Sequence, residues 1–288
     1  MKVKKFFGDL SKRIKNFIVT LLKIGNRPEM KILPGNLAFY MVTSIVPIIL
    51  LLLFVASKFS LSLSGLLKLF EGTVPDSVIK ILDPFFHSNL GISGGISMIF
   101  GFIMVADGAN SIILGTNLMY KIDDKNIIKR RIKSFFLAII IIFIVLIMVI
   151  IMGIGNIILK ALIKIEIISG LGISIYTWYS ILKWPAAFIL LFVSLKTIYT
   201  IALDDKQPSK SMNKGALFGA IMFLIATALY TWYTTSIVDY TIFYGPLASF
   251  IVLLLWIYLL SYIMLLGIGI NANDYFMNKK DNSDNNKK

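Results

Sequence analysis

The chain of 288 residues contains no cysteine and a single histidine, His87. The lack of cysteine excludes disulfides, thiolate nucleophiles and soft metal ligands. One histidine cannot supply a histidine-rich metal cluster, and we interpret His87 as an ordinary surface residue. We therefore expect no metal site, no cofactor and no enzymatic activity.

Charged residues are also scarce, at 15% of the chain, whereas apolar residues make up 57%. This apolar share is well above that of a soluble domain, so the composition predicts a membrane protein. Gly-rich phosphate-binding motifs that end in Lys-Ser or Lys-Thr are absent. The acidic pairs, Asp123-Asp124 and Asp204-Asp205, stand beside lysines, which is typical of solvated loops that neutralise their own charge.

Long apolar runs predict the fold. A hydrocarbon core of about 30 Å requires about 20 helical residues, and only helices or closed barrels satisfy their backbone hydrogen bonds in lipid. The runs lack the alternation of barrel strands. We expect an all-α, polytopic bundle of six transmembrane helices within residues 32–273. The predicted spans are 36–57, 92–120, 134–159, 184–203, 215–238 and 244–272.

The distribution of basic residues predicts an orientation. Most of the 29 lysines and arginines lie in 1–31, 119–133, 204–214 and 274–288, which alternate with connections that hold few. By the positive-inside rule both termini are cytoplasmic. The formal charge of +14 then faces the anionic lipids of the inner leaflet. These lipids are the expected partners, and a nucleic acid is not required.

The two ends of the chain differ from its middle. In residues 1–31, apolar side chains recur at helical spacing and lysines fill the gaps, which is typical of an amphipathic helix lying in the inner interface. The alternative is a cytoplasmic helix packed on the bundle. Residues 274–288 are polar and predict a disordered cytoplasmic tail.

The second span has the most unusual composition. Four glycines repeat every seven residues and predict a groove that another helix can approach closely: Gly94, Gly101, Gly108 and Gly115. A candidate polar site lies on the neighbouring face, completed by a lysine at the outer boundary of the fourth span: Asp107, Asn110, Ser111, Asn117 and Lys183. An intramembrane carboxylate needs a partner. Asp107 is therefore either a substrate or proton site, or a structural anchor bonded to Lys183 or to hydroxyl groups.

A set of short motifs, in order along residues 30–273, resembles the YihY/BrkB family of bacterial inner-membrane proteins. The motifs are Asn36-Leu37-Ala38-Phe39-Tyr40, Ser44, Pro47, Asn117, Tyr120, Lys183-Trp184-Pro185, Tyr199, Pro208, Gly215-Ala216, Tyr244-Gly245-Pro246-Leu247-Ala248, Leu255-Trp256-Ile257-Tyr258, Leu266-Gly267 and Asn271-Ala272. The resemblance implies a multi-pass protein of the bacterial cytoplasmic membrane with no established substrate. The family's former label, ribonuclease BN, is regarded as mistaken. This chain has Gly269 where the family commonly places a glutamate.

Three functions follow as hypotheses. The first is a transporter, or a component that handles a lipid-like amphiphile. The second is a membrane scaffold or envelope-assembly partner, in which the glycine groove binds a second copy of the chain or another membrane protein. A membrane-bound ribonuclease is the least favoured, because nucleases normally hold a metal with clustered acids or histidines.

Overall fold

The computed structural model describes residues 2–58, 92–123, 126–163, 172–236 and 246–285. The regular structure in these ranges is helical, which confirms the predicted all-α fold. The helices are α1 (Lys2–Gly25), α2 (Glu29–Lys58), α3 (Ile92–Met119), α4 (Ile127–Ile163), α5 (Gly172–Ala202), α6 (Asn213–Ser236) and α7 (Pro246–Asn285), with a short 3-10 helix at Ser209–Met212.

Five segments of the described chain are long and apolar enough to cross a membrane, so the protein is a multi-pass membrane protein. They are Ile99–Met119, Ile127–Met148, Trp184–Ala202, Ser209–Thr234 and Phe250–Lys280. The predicted span 36–57 falls in α2, which is 30 residues long. Most side chains in the second half of α2 lie outside the described residues, and α2 is not among the five.

Several helices extend beyond the predicted spans. α4 begins at Ile127, in the basic segment that precedes span 134–159. α7 continues to Asn285, so most of the segment predicted as a disordered tail is helical. Charged residues end a hydrophobic span but do not end a helix, because lysine and glutamate are good helix formers outside lipid.

The described helices that follow α1 form a closed ring. Each of α2 to α7 packs against the next described helix, and α7 closes the ring by packing against α2. α1 lies outside this ring and contacts α7 and α2. Many outward side chains are large and apolar, which is expected where lipid rather than water surrounds the helices. They include Phe136, Phe143, Trp184, Ile189, Leu229 and Leu255.

The glycine repeat of α3 packs against α2. Gly101 contacts Pro47 so closely that a β-carbon would overlap the proline ring. A β-carbon at Gly108 would lie 3.3 Å from Cβ of Tyr40, and one at Gly115 would meet side chains of both α2 and α7. The surroundings of Gly94 lie outside the described residues. The described part of the groove is therefore occupied by a helix of the same chain.

Candidate functional site

The polar face of α3 meets the beginning of α4. Asp107 forms an ion pair with Arg131, and the Asn110 side-chain oxygen accepts a hydrogen bond from Nε of Arg130 at 2.9 Å. The side chains of Asp107 and Arg131 are 26% and 39% exposed. The pair is therefore held by protein on one side and open on the other.

Aromatic rings fix Arg131 in place. Its guanidinium carbon lies 5.2 Å from the centroid of the Phe135 ring, and that ring stacks on Phe102 at 5.8 Å. A cation over an aromatic face is attracted by the ring quadrupole. Arg131 follows the start of α4 by four residues, or about 6 Å of helix rise. Asp107 is thus level with the basic first turns of α4 rather than with its apolar middle.

A second polar group joins α3, α4 and the end of α5. Asn117, which is 1% exposed, donates to Asp204 at 2.6 Å and accepts from the Asp204 backbone N–H at 3.2 Å. Lys133 approaches the same carboxylate at 2.5 Å. Its ammonium also donates to the carbonyls of Ala202 and Leu203, at 2.8 and 2.9 Å. Lys133 therefore caps the carboxyl end of α5, whose last carbonyls lack helical partners.

These contacts change the ionisation of Asp204. Partial burial is the largest single effect and raises the pKa of this carboxyl, but the hydrogen bond and charge of Lys133, the hydrogen bond from Asn117 and the charge of Lys129 together lower the pKa by more. The net pKa lies below the usual aspartate value, so Asp204 is a carboxylate at neutral pH.

A third polar group joins α6 and α7. The side-chain oxygen of Asn271 accepts the Gly215 N–H at 2.7 Å, and its amide donates to the Met212 carbonyl at 3.2 Å. Gly215 and Gly267 allow the backbones of α6 and α7 to approach closely, since a β-carbon on either glycine would overlap the backbone of the other helix. The Tyr199 hydroxyl, which is buried at this crossing, donates to the Met264 carbonyl at 2.9 Å.

The structure gives charged partners to three of the five residues of the predicted polar site. Asp107 and Asn110 contact arginines at the start of α4, Asn117 contacts Asp204 in the connection after α5, and Ser111 is buried on α3. Lys183 lies in α5, and its side chain is outside the described residues. The described partner of Asp107 is Arg131.

The partners of these residues are not apparent from the sequence. From the sequence, the basic run that contains Arg130, Arg131 and Lys133 is used only to predict the membrane orientation, and Asp204 is interpreted as part of a solvated loop. In the structure, Lys133 and Asn117 hold Asp204. The available signal was the position of the basic run at the start of a helix that follows the polar face of α3 directly.

The charges in this region do not cancel. Arg130, Arg131 and Lys133 accompany two carboxylates, Asp107 and Asp204, and the exposed Lys129 adds a further positive charge. Within the described residues, no group of three or more acidic, histidine or cysteine side chains could hold a metal ion. Guanidinium and ammonium groups of this kind can bind an anion.

Motifs that carry the family resemblance meet in the same half of the bundle. Asn117 holds the loop after α5, Tyr199 contacts α7, and Gly215, Gly267 and Asn271 form the crossing of α6 and α7. These motifs therefore join α3 to the loop after α5, and they join α5 and α6 to α7.

Comparison with known proteins supports the same assignment. A ribonuclease-like protein of Bacillus subtilis, YfkH, is 26% identical over 83% of this chain and 87% of its own length. A UPF0761 membrane protein of Vibrio vulnificus is 25% identical over 89% of this chain and 81% of its own length. A UPF0761 membrane protein of Psychromonas ingrahamii is 23% identical over 97% of this chain and 95% of its own length. No solved structure matches.

The family model described as virulence factor BrkB matches residues 26–288, which is nearly the whole chain beyond α1. This match confirms the resemblance carried by the sequence motifs. The chain belongs to the BrkB family of membrane proteins.

Proposed function

We propose that this chain binds an anionic, lipid-like amphiphile and moves it in the bacterial cytoplasmic membrane, without catalysing a chemical reaction. The proposal includes six crossings, with α2 as the first, and both termini in the cytoplasm. The alternation of basic connections supports this orientation.

One observation carries the proposal, namely the partly exposed ion pair between Asp107 and Arg131. Charged groups that face hydrocarbon are costly, so the open side of this pair must meet headgroups or water. A guanidinium binds carboxylate and phosphate with the same planar donor geometry. Asp107 therefore pairs with Arg131 in the absence of ligand, and an anionic headgroup takes the place of Asp107 when it binds to Arg131.

The surrounding residues favour an amphiphile over a small ion. Lipid-facing apolar side chains flank the basic turns of α4, including Ile128, Ile132 and Phe136. An acyl chain can lie against these residues while its headgroup reaches Arg131. A free phosphate would use the charges alone.

The scaffold hypothesis has less support from the described groove. Gly101 and Gly108 contact α2, so a partner's helix cannot use the same surface without displacing α2. A scaffold would need another face of the bundle. A ribonuclease also has less support, because arginine, lysine and amide groups already engage Asp107 and Asp204, and the described residues contain no group of three or more acidic, histidine or cysteine side chains that could hold a metal ion.

Reconstituted liposomes test the proposal. We expect purified protein to accelerate the exchange between leaflets of a fluorescent phosphatidylglycerol more than that of the matching phosphatidylcholine. Arg131→Gln should lower the phosphatidylglycerol rate about tenfold, because a charged hydrogen bond contributes about 1.5–3 kcal/mol and 1.4 kcal/mol corresponds to tenfold. Asp107→Asn, which removes the competing carboxylate, should change the lipid dependence while the protein stays folded.

Lys210→Gln is the matched control, since it removes one positive charge from the exposed 3-10 helix. Its rate should equal that of the unmodified protein. Exchange no faster than in protein-free liposomes would refute transport of this lipid class. Equal rates for Arg131→Gln and Lys210→Gln would remove Arg131 from the mechanism.

A further inference from the structure

The last turn of α1 is anchored on α7. Ile24 is 1% exposed, and a β-carbon at position 269 would lie 2.5 Å from its Cγ2 atom. A β-carbon on Gly25 would lie 2.8 Å from the Tyr262 hydroxyl. Positions 262 and 269 are two turns apart on one face of α7. Gly269 thus provides the space that Ile24 fills.

A second contact places α1 beside the lipid-facing side of α6. The ring of Phe17 meets that of Phe218 edge to face, with centroids 5.9 Å apart. Next to Phe218, exposed apolar side chains follow α6 at four-residue spacing: Leu217, Ile221, Ile225 and Leu229. The surface of α1 next to Phe17 therefore continues the surface that α6 presents to lipid.

The remaining surface of α1 divides into an apolar and a basic strip. At 100° per residue, Ile18 and Leu22 lie between the anchored face and the side that carries Lys12, Lys15 and Lys23. Ile18 and Leu22 are 50% and 62% exposed, and the three lysines are exposed. The helix sequence contains seven basic residues and one acidic residue, Asp9. Apolar and basic strips side by side are typical of a helix that lies in an anionic membrane surface.

We propose that α1 binds the anionic lipid surface beside α6 through Ile18, Leu22 and the neighbouring lysines, and that the contact of Ile24 with Gly269 holds it on α7 in this position. The two predicted locations of this segment, in the interface or on the bundle, are then two faces of one helix. This binding surface is separate from the Asp107 and Arg131 pair and does not depend on lipid transport.

Spin labels on the full-length protein test the lipid contact. Because the chain has no cysteine, single-cysteine variants accept one label each without further changes. We expect labels at Ile18→Cys and Leu22→Cys to be more accessible to oxygen than to a soluble nickel chelate in nanodiscs of equal phosphatidylglycerol and phosphatidylcholine. The label at Lys12→Cys, on the basic side, should show the reverse. In nanodiscs of phosphatidylcholine alone, the two apolar positions should shift toward the nickel chelate.

Free access of the nickel chelate to positions 18 and 22 in the anionic nanodiscs would overturn the proposal. Protection of both positions in detergent, together with a doubled particle mass, would also overturn it, because a second copy would then cover the strip.

A size exchange tests the anchor. Gly269→Val should displace Ile24 and raise the mobility of the label at position 22. Adding Ile24→Ala makes room for the valine and should restore the original mobility. Unchanged mobility in Gly269→Val, or no restoration in the double variant, would show that this contact does not hold α1.

Discussion

Asn271 shows how one buried side chain can complete the backbone of a neighbouring helix. The N–H of Gly215 belongs to the first turn of α6, where no carbonyl of the same helix is available. A cap usually comes from the residue just before the helix. Here it comes from α7, through the 2.7 Å bond to Asn271. Sequence spacing could not reveal this cap, because donor and acceptor are 56 residues apart.

Asn271→Ala should lower the free energy of unfolding by about 1–3 kcal/mol, the cost of leaving a buried donor without a partner. Asn271 is 2% exposed, so water cannot readily replace the lost oxygen. Thermal unfolding in detergent measures the effect. Asn273→Ala is the control, because the partly exposed Asn273 does not bond to α6 in the described contacts. Equal stability of the two variants would show that the cap is unimportant.

Asp204 should make the stability of the fold depend on pH. Burial opposes its ionisation, but Lys133 and Asn117 depress the folded pKa below the ordinary 3.8. A carboxyl with a depressed folded pKa stabilises the fold above its unfolded pKa, and this contribution is lost as the pH falls through the folded value. The melting temperature should therefore decrease as the pH is lowered below about 4.

Asp204→Asn should show a shallower fall over this acidic range and a lower melting temperature at pH 7. The matched control is Asp205→Asn, at the neighbouring and more loosely held acid, whose profile should follow that of the unmodified protein. Parallel profiles for all three proteins would contradict the role given to Lys133.

At the scale of the helices, hydropathy predicts which segments are helical and apolar, but it does not predict where helices end. Lipid sets the length of an apolar run, whereas caps and tertiary contacts set the length of a helix. α4 therefore begins in the basic segment, and α7 continues past the predicted span.

Partners across helices are harder to predict than polar faces. Asp107 and Asn117 stand out because polar groups are rare in an apolar helix. The partner of Asp107, Arg131, belongs to a basic run whose members all look alike in sequence, and the partner of Asn117, Asp204, is 87 residues away. Which member of the basic run reaches α3 depends on the rotation of α4 about its axis, which only the structure shows.

The contact between α2 and α3 gives a prediction at this scale. Gly101→Ala places a methyl group in the Pro47 ring, so the helices must separate, at a cost of about 1–3 kcal/mol. Gly35→Ala, in α2, is the control because no atom lies within 4 Å of the new β-carbon. It should stabilise the helix by up to about 1 kcal/mol.

Thermal unfolding of the two alanine variants should therefore shift in opposite directions. A stable Gly101→Ala protein would show that the close approach of Pro47 is not needed for the fold.

At the scale of the whole molecule, the packing of the described helices puts several connections rich in basic residues next to one another. The start of α4, the end of α5 and the start of α6 then share contacts with α3 and α7. The family match covers these same helices. This half of the bundle is thus where several motifs of the family and the charged groups of this chain meet.

The proposed orientation determines which membrane leaflet this half of the bundle contacts. If it faces the cytoplasm, Arg131 and the lysines of α1 both lie at the anionic inner leaflet. If it faces outward, neither the amphiphile site nor the lipid contact of α1 has the expected environment. The sidedness of the termini is therefore the central claim of the account.

Labelling of single cysteines in intact cells with a membrane-impermeant maleimide tests this claim most directly. Cysteines at positions 12 and 277, near the two ends of the chain, should react only after the inner membrane is opened. A cysteine at position 87, in the predicted outer connection, should react in intact cells once the reagent can pass any outer membrane. Reaction at position 12 or 277 in intact cells would contradict the six-pass topology with both termini inside.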